Sequence, residues 1–310
     1  MNSEKHKFEL VLWDLDGTLI DTLEDLAAAV NHALALRGLP LHGVDEYRKM
    51  VGHGVRNLVR QAVEAAVQKT PDQVGGDDGR AVRGDDGRAV GGDGAAEGQQ
   101  LRASGLRMLK EIGFSGTVPK NNFIQLQDGQ LMPEYIDAAL EDFKEYYKAH
   151  IDVHTRPYPG MQELLTELQG EGVKMAVVSN KFQEGTEHLI REFFPDIEFV
   201  AILGNRPGYP LKPDPEIVRE VLEKAAVEKE SAILVGDSPT DMRTAAGGGI
   251  EAVAVSWGYR TVEELARAGV AAEAAAGPNT EVGSARAQTG PVAKNRIVHS
   301  VEELRNVLRK

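Results

Sequence analysis

Short aliphatic runs separated by amphipathic stretches constrain this chain more than any other feature. Residues 8–13, 173–179, 232–236 and 252–255 form such runs, with a weaker one at 198–203. Between them, apolar side chains recur at helical spacing over 161–169, 186–193, 215–225 and 241–247. Strands that are apolar throughout, without alternation, are buried on both faces. Strands alternating with helices connect in parallel, so the expected fold is α/β, a mostly parallel sheet with helices on both faces.

The first strand stands apart from the others. Residues 19–149 are helix-rich, with helical patterns over 23–37, 55–68 and 134–147 and few convincing strands. They read as a second, helical domain inserted after strand one. The core is expected to resume near Arg156-Pro157-Tyr158-Pro159-Gly160, where two prolines stiffen a linker and Gly160 permits a turn. The expected division is 1–18 and 151–310 for the core and 19–150 for the insert.

Two stretches read as additions. Within 75–98, the octapeptide Gly76-Asp77-Asp78-Gly79-Arg80-Ala81-Val82-Arg83 recurs as Gly84-Asp85-Asp86-Gly87-Arg88-Ala89-Val90-Gly91. A calcium-binding β-roll repeats every nine residues and needs a stack, so a flexible insertion is expected instead. Residues 271–294, rich in Ala and Gly, are expected to form a surface loop between a helix near 261–268 and final elements at 296–298 and 301–308.

Composition narrows the function. The 310 residues carry 35 basic and 48 acidic side chains, a net charge of −13, which disfavours nucleic acid and anionic membrane as partners. The chain has no cysteine, which excludes disulfides and thiolate metal sites. The charged start and short apolar run to Trp13 match neither a secretory signal nor a membrane span, so a cytoplasmic location is expected. A phosphate substrate would need local cations to overcome the acidic field.

Chemistry concentrates at the ends of the strands. Leu12-Trp13-Asp14-Leu15-Asp16-Gly17-Thr18-Leu19 closes an apolar strand with aspartates two positions apart. Strand alternation puts both carboxylates on one side, and ligands bind at the carboxyl ends of parallel strands. An Asx turn would explain one of the two comfortably and the pair poorly. Ile233-Leu234-Val235-Gly236-Asp237-Ser238-Pro239-Thr240-Asp241 ends a second strand in Asp237, with Asp241 one helical turn later, where a plain helix cap is an equally good reading. Between them lie Ser179-Asn180-Lys181, read as a turn or cap at a strand end, and Lys212 before a helix start.

In this order, the four pieces resemble the haloacid dehalogenase superfamily, whose pattern is Asp-x-Asp-Gly-Thr, Ser/Thr, Lys and Gly-Asp-Ser-x-x-Asp. Leu19-Ile20-Asp21-Thr22, Tyr146-Tyr147, the His154–Gly160 stretch, Ser179-Asn180-Lys181 and Trp257-Gly258-Tyr259 are similar to its phosphoglycolate phosphatase-like branch. The resemblance implies a Rossmann-like doubly wound core with an inserted helical cap domain. It implies a phosphatase of small-molecule phosphate monoesters, working through an aspartyl-phosphate, as a monomer or homodimer. Asp14 would be the nucleophile and Asp16 the acid and base. Mg2+ would be held by the Asp14 carboxylate, the Asp16 carbonyl and Asp237, with Asp241 in support. Ser179 would bind a phosphoryl oxygen, Lys212 would offset negative charge, and Gly17, Thr18 and Asn180 would support the site.

In the inserted region, Gly52 and Gly54 allow close approach to a ligand. Arg56 can pair with a substrate carboxylate, or be a solvated residue at a helix start. His150 and His154 have i, i+4 spacing but no evident third ligand, so a structural role is expected rather than zinc. The leading substrate is 2-phosphoglycolate. The alternatives are another small phosphometabolite or a phosphosugar mutase of the β-phosphoglucomutase type; Asp16 argues against a dehalogenase, and the intact motifs argue against a non-catalytic binding protein.

Overall fold

The computed structural model describes residues 7–69, 126–127, 130–131, 133–267 and 297–309. The octapeptide repeat at 76–91, the rest of the 75–98 insertion and the 271–294 stretch lie outside the described residues. The chain divides into two compact units. The first comprises Met1–Asp25, Arg48–Val55 and Ile151–Lys310, the second Leu26–Tyr47 and Arg56–His150.

The strands, in chain order, are β1 (Leu10–Trp13), β2 (Ile20–Asp21), β3 (Leu126–Gln127), β4 (Gln130–Leu131), β5 (Arg156–Pro157), β6 (Lys174–Phe182), β7 (Ala201–Asn205), β8 (Ala232–Gly236), β9 (Glu251–Val255) and β10 (Ile297–Val298). Six of them form one parallel sheet in the order β10-β9-β8-β1-β6-β7. Counted within the sheet, this is the doubly wound order 3-2-1-4-5-6 read from its other edge, and its direction reverses between β1 and β8.

Helices at Met161–Gly170, Gln183–Phe193, Glu216–Ala225, Pro239–Gly248 and Val301–Leu308 connect or follow these strands. Leu10, Leu12, Ala176, Val178, Ala232 and Leu234 pack with Ile217, Val218 and Val221 of one helix in a single apolar cluster. The alternate residues Val11, Trp13, Met175, Val177, Ile233 and Val235 are buried too, so the central strands are covered on both sides. That is the reason β1 and β8 read as unbroken apolar runs.

Two boundaries differ from expectation. The weak strand placed at 198–203 runs instead over Ala201–Asn205, because its residue-by-residue pairing with β6 begins only at Ala201. Strand β6 continues through Ser179, Asn180 and Lys181 to Phe182, where a turn or cap was expected. Its pairing with β7 shifts register between Val178 and Phe182, so the extra residues extend the strand as a bulge.

In the second unit, the helices Val55–Gln68 and Pro133–Ala149 bury Leu58, Val59, Ala62, Val63, Ile136, Ala139 and Phe143. Strands β3 and β4 pair there as a short antiparallel hairpin. The chain enters and leaves the insertion through β2 and β5, which pair antiparallel, Ile20 with Pro157 and Asp21 with Arg156. Among the described residues, no helix is long and apolar enough to cross a membrane.

Candidate active site

Strand register assembles the site. Trp13 lies opposite Val177 on β6 and Val235 on β8. Asp14, Ser179 and Asp237 therefore emerge together at the carboxyl edge, where the winding reverses and helices leave room for a ligand. The Asp14 amide still donates to Val235 O at 2.9 Å, which continues the ladder one residue beyond β1.

The chain then turns tightly. Leu15 O accepts from the amides of Thr18, Leu19 and Ile20, and Gly17 N–H donates to Ile20 O. Gly17 sits at φ +88°, and a Cβ there would stand 2.5 Å from Asp237 Oδ2. Only glycine tolerates both the left-handed backbone and that approach. Thr18 O accepts from the Trp257 indole at 3.2 Å.

Lys212 is the central cation. Its ammonium donates to Asp14 Oδ1 at 2.7 Å, to Asp241 Oδ1 at 2.6 Å and to Val178 O at 2.9 Å. Asn180 braces the lysine backbone, accepting from Lys212 N at 2.8 Å and donating to Lys212 O at 3.0 Å. Ser179 Oγ accepts from Lys181 N at 3.1 Å, which leaves its own hydroxyl proton for a ligand oxygen.

Asp241 serves two structures at once. It is the third residue of the helix opened by Ser238, and the two form a reciprocal capping box with Pro239 at the first turn. Its Oδ2 accepts from Ser238 N and Oγ at 3.1 and 2.6 Å, while its Oδ1 faces Lys212. The helix cap is therefore present, and the same side chain also reaches Lys212. Asp237 is held by the Tyr259 amide, 2.6 Å from Oδ2, and the Tyr259 hydroxyl in turn accepts from Thr22 N at 2.8 Å.

Asp16 has a partner that sequence reasoning missed. Its Oδ1 accepts from Thr22 Oγ1 at 2.7 Å and lies 3.0 Å from the ammonium of Lys181, itself buried. The available signal was a lysine at the end of an apolar strand, where a solvated tip would be out of place.

The electrostatics are those of a site with too few cations. Burial pushes the Asp14 carboxyl well above the usual range, and Asp241 adds to this while Lys212 opposes it. Burial and then Asp241 push Asp237 up to about 7, against the Tyr259 amide, Arg260 and Lys212. Burial alone would lower Lys212, but Asp14 and Asp241 outweigh it and hold the ammonium charged. Carboxylate oxygens of Asp14, Asp237 and Asp241 all lie within 4.8 Å of one another and are buried. Three carboxylates against one ammonium leave two negative charges, and hard oxygen donors suit a divalent cation such as Mg2+. The residues present fit that ion.

The insertion-borne candidates divide. Gly52, at φ +106°, and Gly54, at φ +82°, lie on the segment Arg48–Val55, which belongs to the same unit as the strands. Gly52 O accepts from Asn180 Nδ2 at 3.2 Å, and a Cβ on Gly54 would stand 3.2 Å from Leu211. Arg56 belongs to the second unit, where its exposed guanidinium pairs with Asp137. His150 stacks on Tyr146 at 4.0 Å and donates from Nδ1 to Tyr146 O. His154 gives its amide to Asp25, whose carboxylate also takes the amide and hydroxyl of Thr155. Among the described residues, neither histidine joins a metal-type cluster.

Comparison with known proteins places the chain in a family. The haloacid dehalogenase-like hydrolase family matches residues 11–74 and 107–255, an alignment that passes over the octapeptide repeat. Phosphoglycolate phosphatase 1 of Pseudomonas aeruginosa is 30% identical over 252 residues, 81% of this chain and 70% of its own length. Phosphoglycolate phosphatase of Mesorhizobium japonicum is 30% identical over 81% of this chain and 83% of its own. A crystal structure from Lactobacillus delbrueckii, assigned as a phosphoglycolate phosphatase, superposes with a TM-score of 0.67 at 26% identity, covering 98% of this chain and 99% of that one.

Proposed function

Because the chain belongs to the haloacid dehalogenase-like hydrolases and acts on phosphate monoesters, we propose that it is a Mg2+-dependent phosphatase of a small phosphometabolite, with 2-phosphoglycolate its substrate. The observation that carries this reading is the convergence of Asp14, Ser179, Lys212 and Asp237 at one edge of the sheet. The substrate is taken from the relatives, whose names are those of phosphoglycolate phosphatases.

In this reading Asp14 attacks phosphorus as the bond to the leaving alkoxide breaks, which forms an aspartyl-phosphate. Asp16 gives the alkoxide its proton and then takes one from the water that attacks the intermediate, so inorganic phosphate leaves and Asp14 is restored. Ser179 donates its hydroxyl proton to a phosphoryl oxygen. Lys212, fixed by Asn180, favours the ionised form of Asp14 against its burial and screens it from the incoming phosphate. Asp14, the Asp16 carbonyl and Asp237 would hold Mg2+, with Asp241 behind them, its two oxygens already accepting from protein donors. The bound ion supplies charge stabilisation to the transferring phosphoryl group. Thr22 and Lys181 engage Asp16 Oδ1, which leaves its second oxygen for the proton transfers.

The test is phosphate release by the full chain from a panel of phosphorylated metabolites, with Mg2+ and with excess chelator. We expect the highest kcat/KM for 2-phosphoglycolate and loss of turnover in chelator. Turnover that survives chelation overturns the metal role. A better substrate elsewhere in the panel overturns the specificity, and a requirement for a sugar bisphosphate identifies a mutase instead.

A further inference from the structure

Arg260 is a buried arginine that forms no ion pair among the described residues. Among the described residues, no carboxylate lies within ion-pair distance of it, and its side chain is in the interior of the first unit. A guanidinium removed from water is costly unless its donors are satisfied. Here backbone carbonyls satisfy them, all from one short segment. Nη1 donates to Arg48 O, and Nη2 donates to Val51 O and, at 3.5 Å, to Lys49 O.

That segment, Arg48–Val55, lies in sequence between two helices of the inserted region, yet it belongs to the unit that carries the catalytic groups. It forms no strand or long helix of its own, and Gly52 and Gly54 both have left-handed backbone. Its carbonyls therefore need partners from outside. Besides Arg260, Asn180 serves Gly52 O with the amide nitrogen that also holds Lys212 O. Gly54 abuts Leu211, the residue before Lys212. The other anchor follows Tyr259, whose amide holds Asp237. The segment is thus tied to the lysine side of the site through Asn180 and to the Asp237 side through Arg260. Arg48 returns a contact to Gly258 O at 3.5 Å, which closes the loop on the same tripeptide.

We propose that Arg260 is a positioning residue for substrate binding, which fixes Arg48–Val55 against the catalytic groups so that this segment meets the part of the substrate beyond its phosphate. Lysine replaces it only in part, since a single ammonium cannot span carbonyls of three residues as a planar fork does. The effect belongs in KM: the phosphoryl-transfer groups are held by other bonds, whereas the segment loses its anchor.

The inference rests on the phosphatase reading, and the experiment separates the two. Wild-type turnover of 2-phosphoglycolate tests the function; should another metabolite of the panel prove better, the variants are compared on that one. R260A and R260K are measured for kcat and KM, with phenyl phosphate as a second substrate lacking the metabolite's acid group. We expect KM for the metabolite to rise on the order of tenfold in R260A and less in R260K. The rise should exceed any fall in kcat, and the loss in kcat/KM should be larger for the metabolite than for phenyl phosphate. Trypsin should cut after Arg48 or Lys49 faster in both variants than in wild type. If R260A does not fold, R260K decides by the same readings. A loss carried by kcat alone, equal losses on both substrates, or an unchanged KM in the folded variant overturns the proposal.

Discussion

In the proposed mechanism Asp14 must be ionised to attack phosphorus, yet its burial and its acidic neighbours favour the neutral acid. Lys212 reverses part of that cost through a 2.7 Å hydrogen bond, and the same ammonium reaches Asp241. Replacing Asp14 by Asn removes the nucleophile and one of the mutually repelling charges together. We expect Asp14→Asn to lower kcat by about a thousandfold or more while the circular dichroism spectrum and melting temperature stay near wild type. Substantial residual turnover would remove Asp14 from the nucleophile's role. The pairing of Lys181 with Asp16 belongs to the same scale, and the sequence did not reveal it. Ser179-Asn180-Lys181 reads as a turn, whereas the bulged extension of β6 carries the lysine inward.

At the scale of elements, the strand ends do the assembling. Residues 14 and 237 are far apart in sequence but lie at the ends of neighbouring strands, one register step apart, because β1 and β8 pair from Leu10 and Ala232 onward. Gly17 is where one element's turn meets another's side chain. Gly17→Ala should destabilise the protein by about 1–2 kcal/mol for the left-handed backbone alone. The new Cβ must also displace the Asp237 carboxylate, so Mg2+ affinity should fall and kcat/KM with it. Urea denaturation and a Mg2+ titration of activity check this. An Ala variant with unaltered Mg2+ dependence would show that the carboxylate has room to move. Helix positions were legible because apolar spacing reflects burial, as Val55–Gln68 shows with matching bounds. The end of β6 was not legible, because a bulge depends on register with a neighbour and leaves no pattern in the strand itself.

At the scale of the whole molecule, a net charge of −13 surrounds a site that must accept an anion. Its local cations are few, so the protein's pH behaviour should depend on the metal. The Asp237 carboxyl titrates near 7 in the fold against an ordinary 3.8, and Asp14 shifts the same way. Between those values the folded state binds more protons than the unfolded one, so stability falls as pH rises. In chelator, the urea midpoint should therefore decline from about pH 4 to about pH 7, and Asp237→Asn should flatten the decline. Mg2+ at neutral pH should restore the midpoint, because ligand binding to the folded state adds stability. A midpoint that rises across this window in chelator, with the Asn variant following wild type, would contradict the charge assignment.

By itself, the amino-acid sequence determined the fold class, the approximate extent of the main strands and helices, and the identity of the acidic and basic residues at strand ends. Those properties are local: apolar period, chain punctuation and motif spacing act over a few residues. The tertiary structure decided which carboxylates share one buried space, that Lys181 faces Asp16, that Asp241 both caps a helix and meets Lys212, and that Arg48–Val55 belongs with the catalytic unit. Each of these depends on distances between residues remote in the chain. Such distances are set by strand register and by the need of buried donors and acceptors for partners, and neither is written in any single segment.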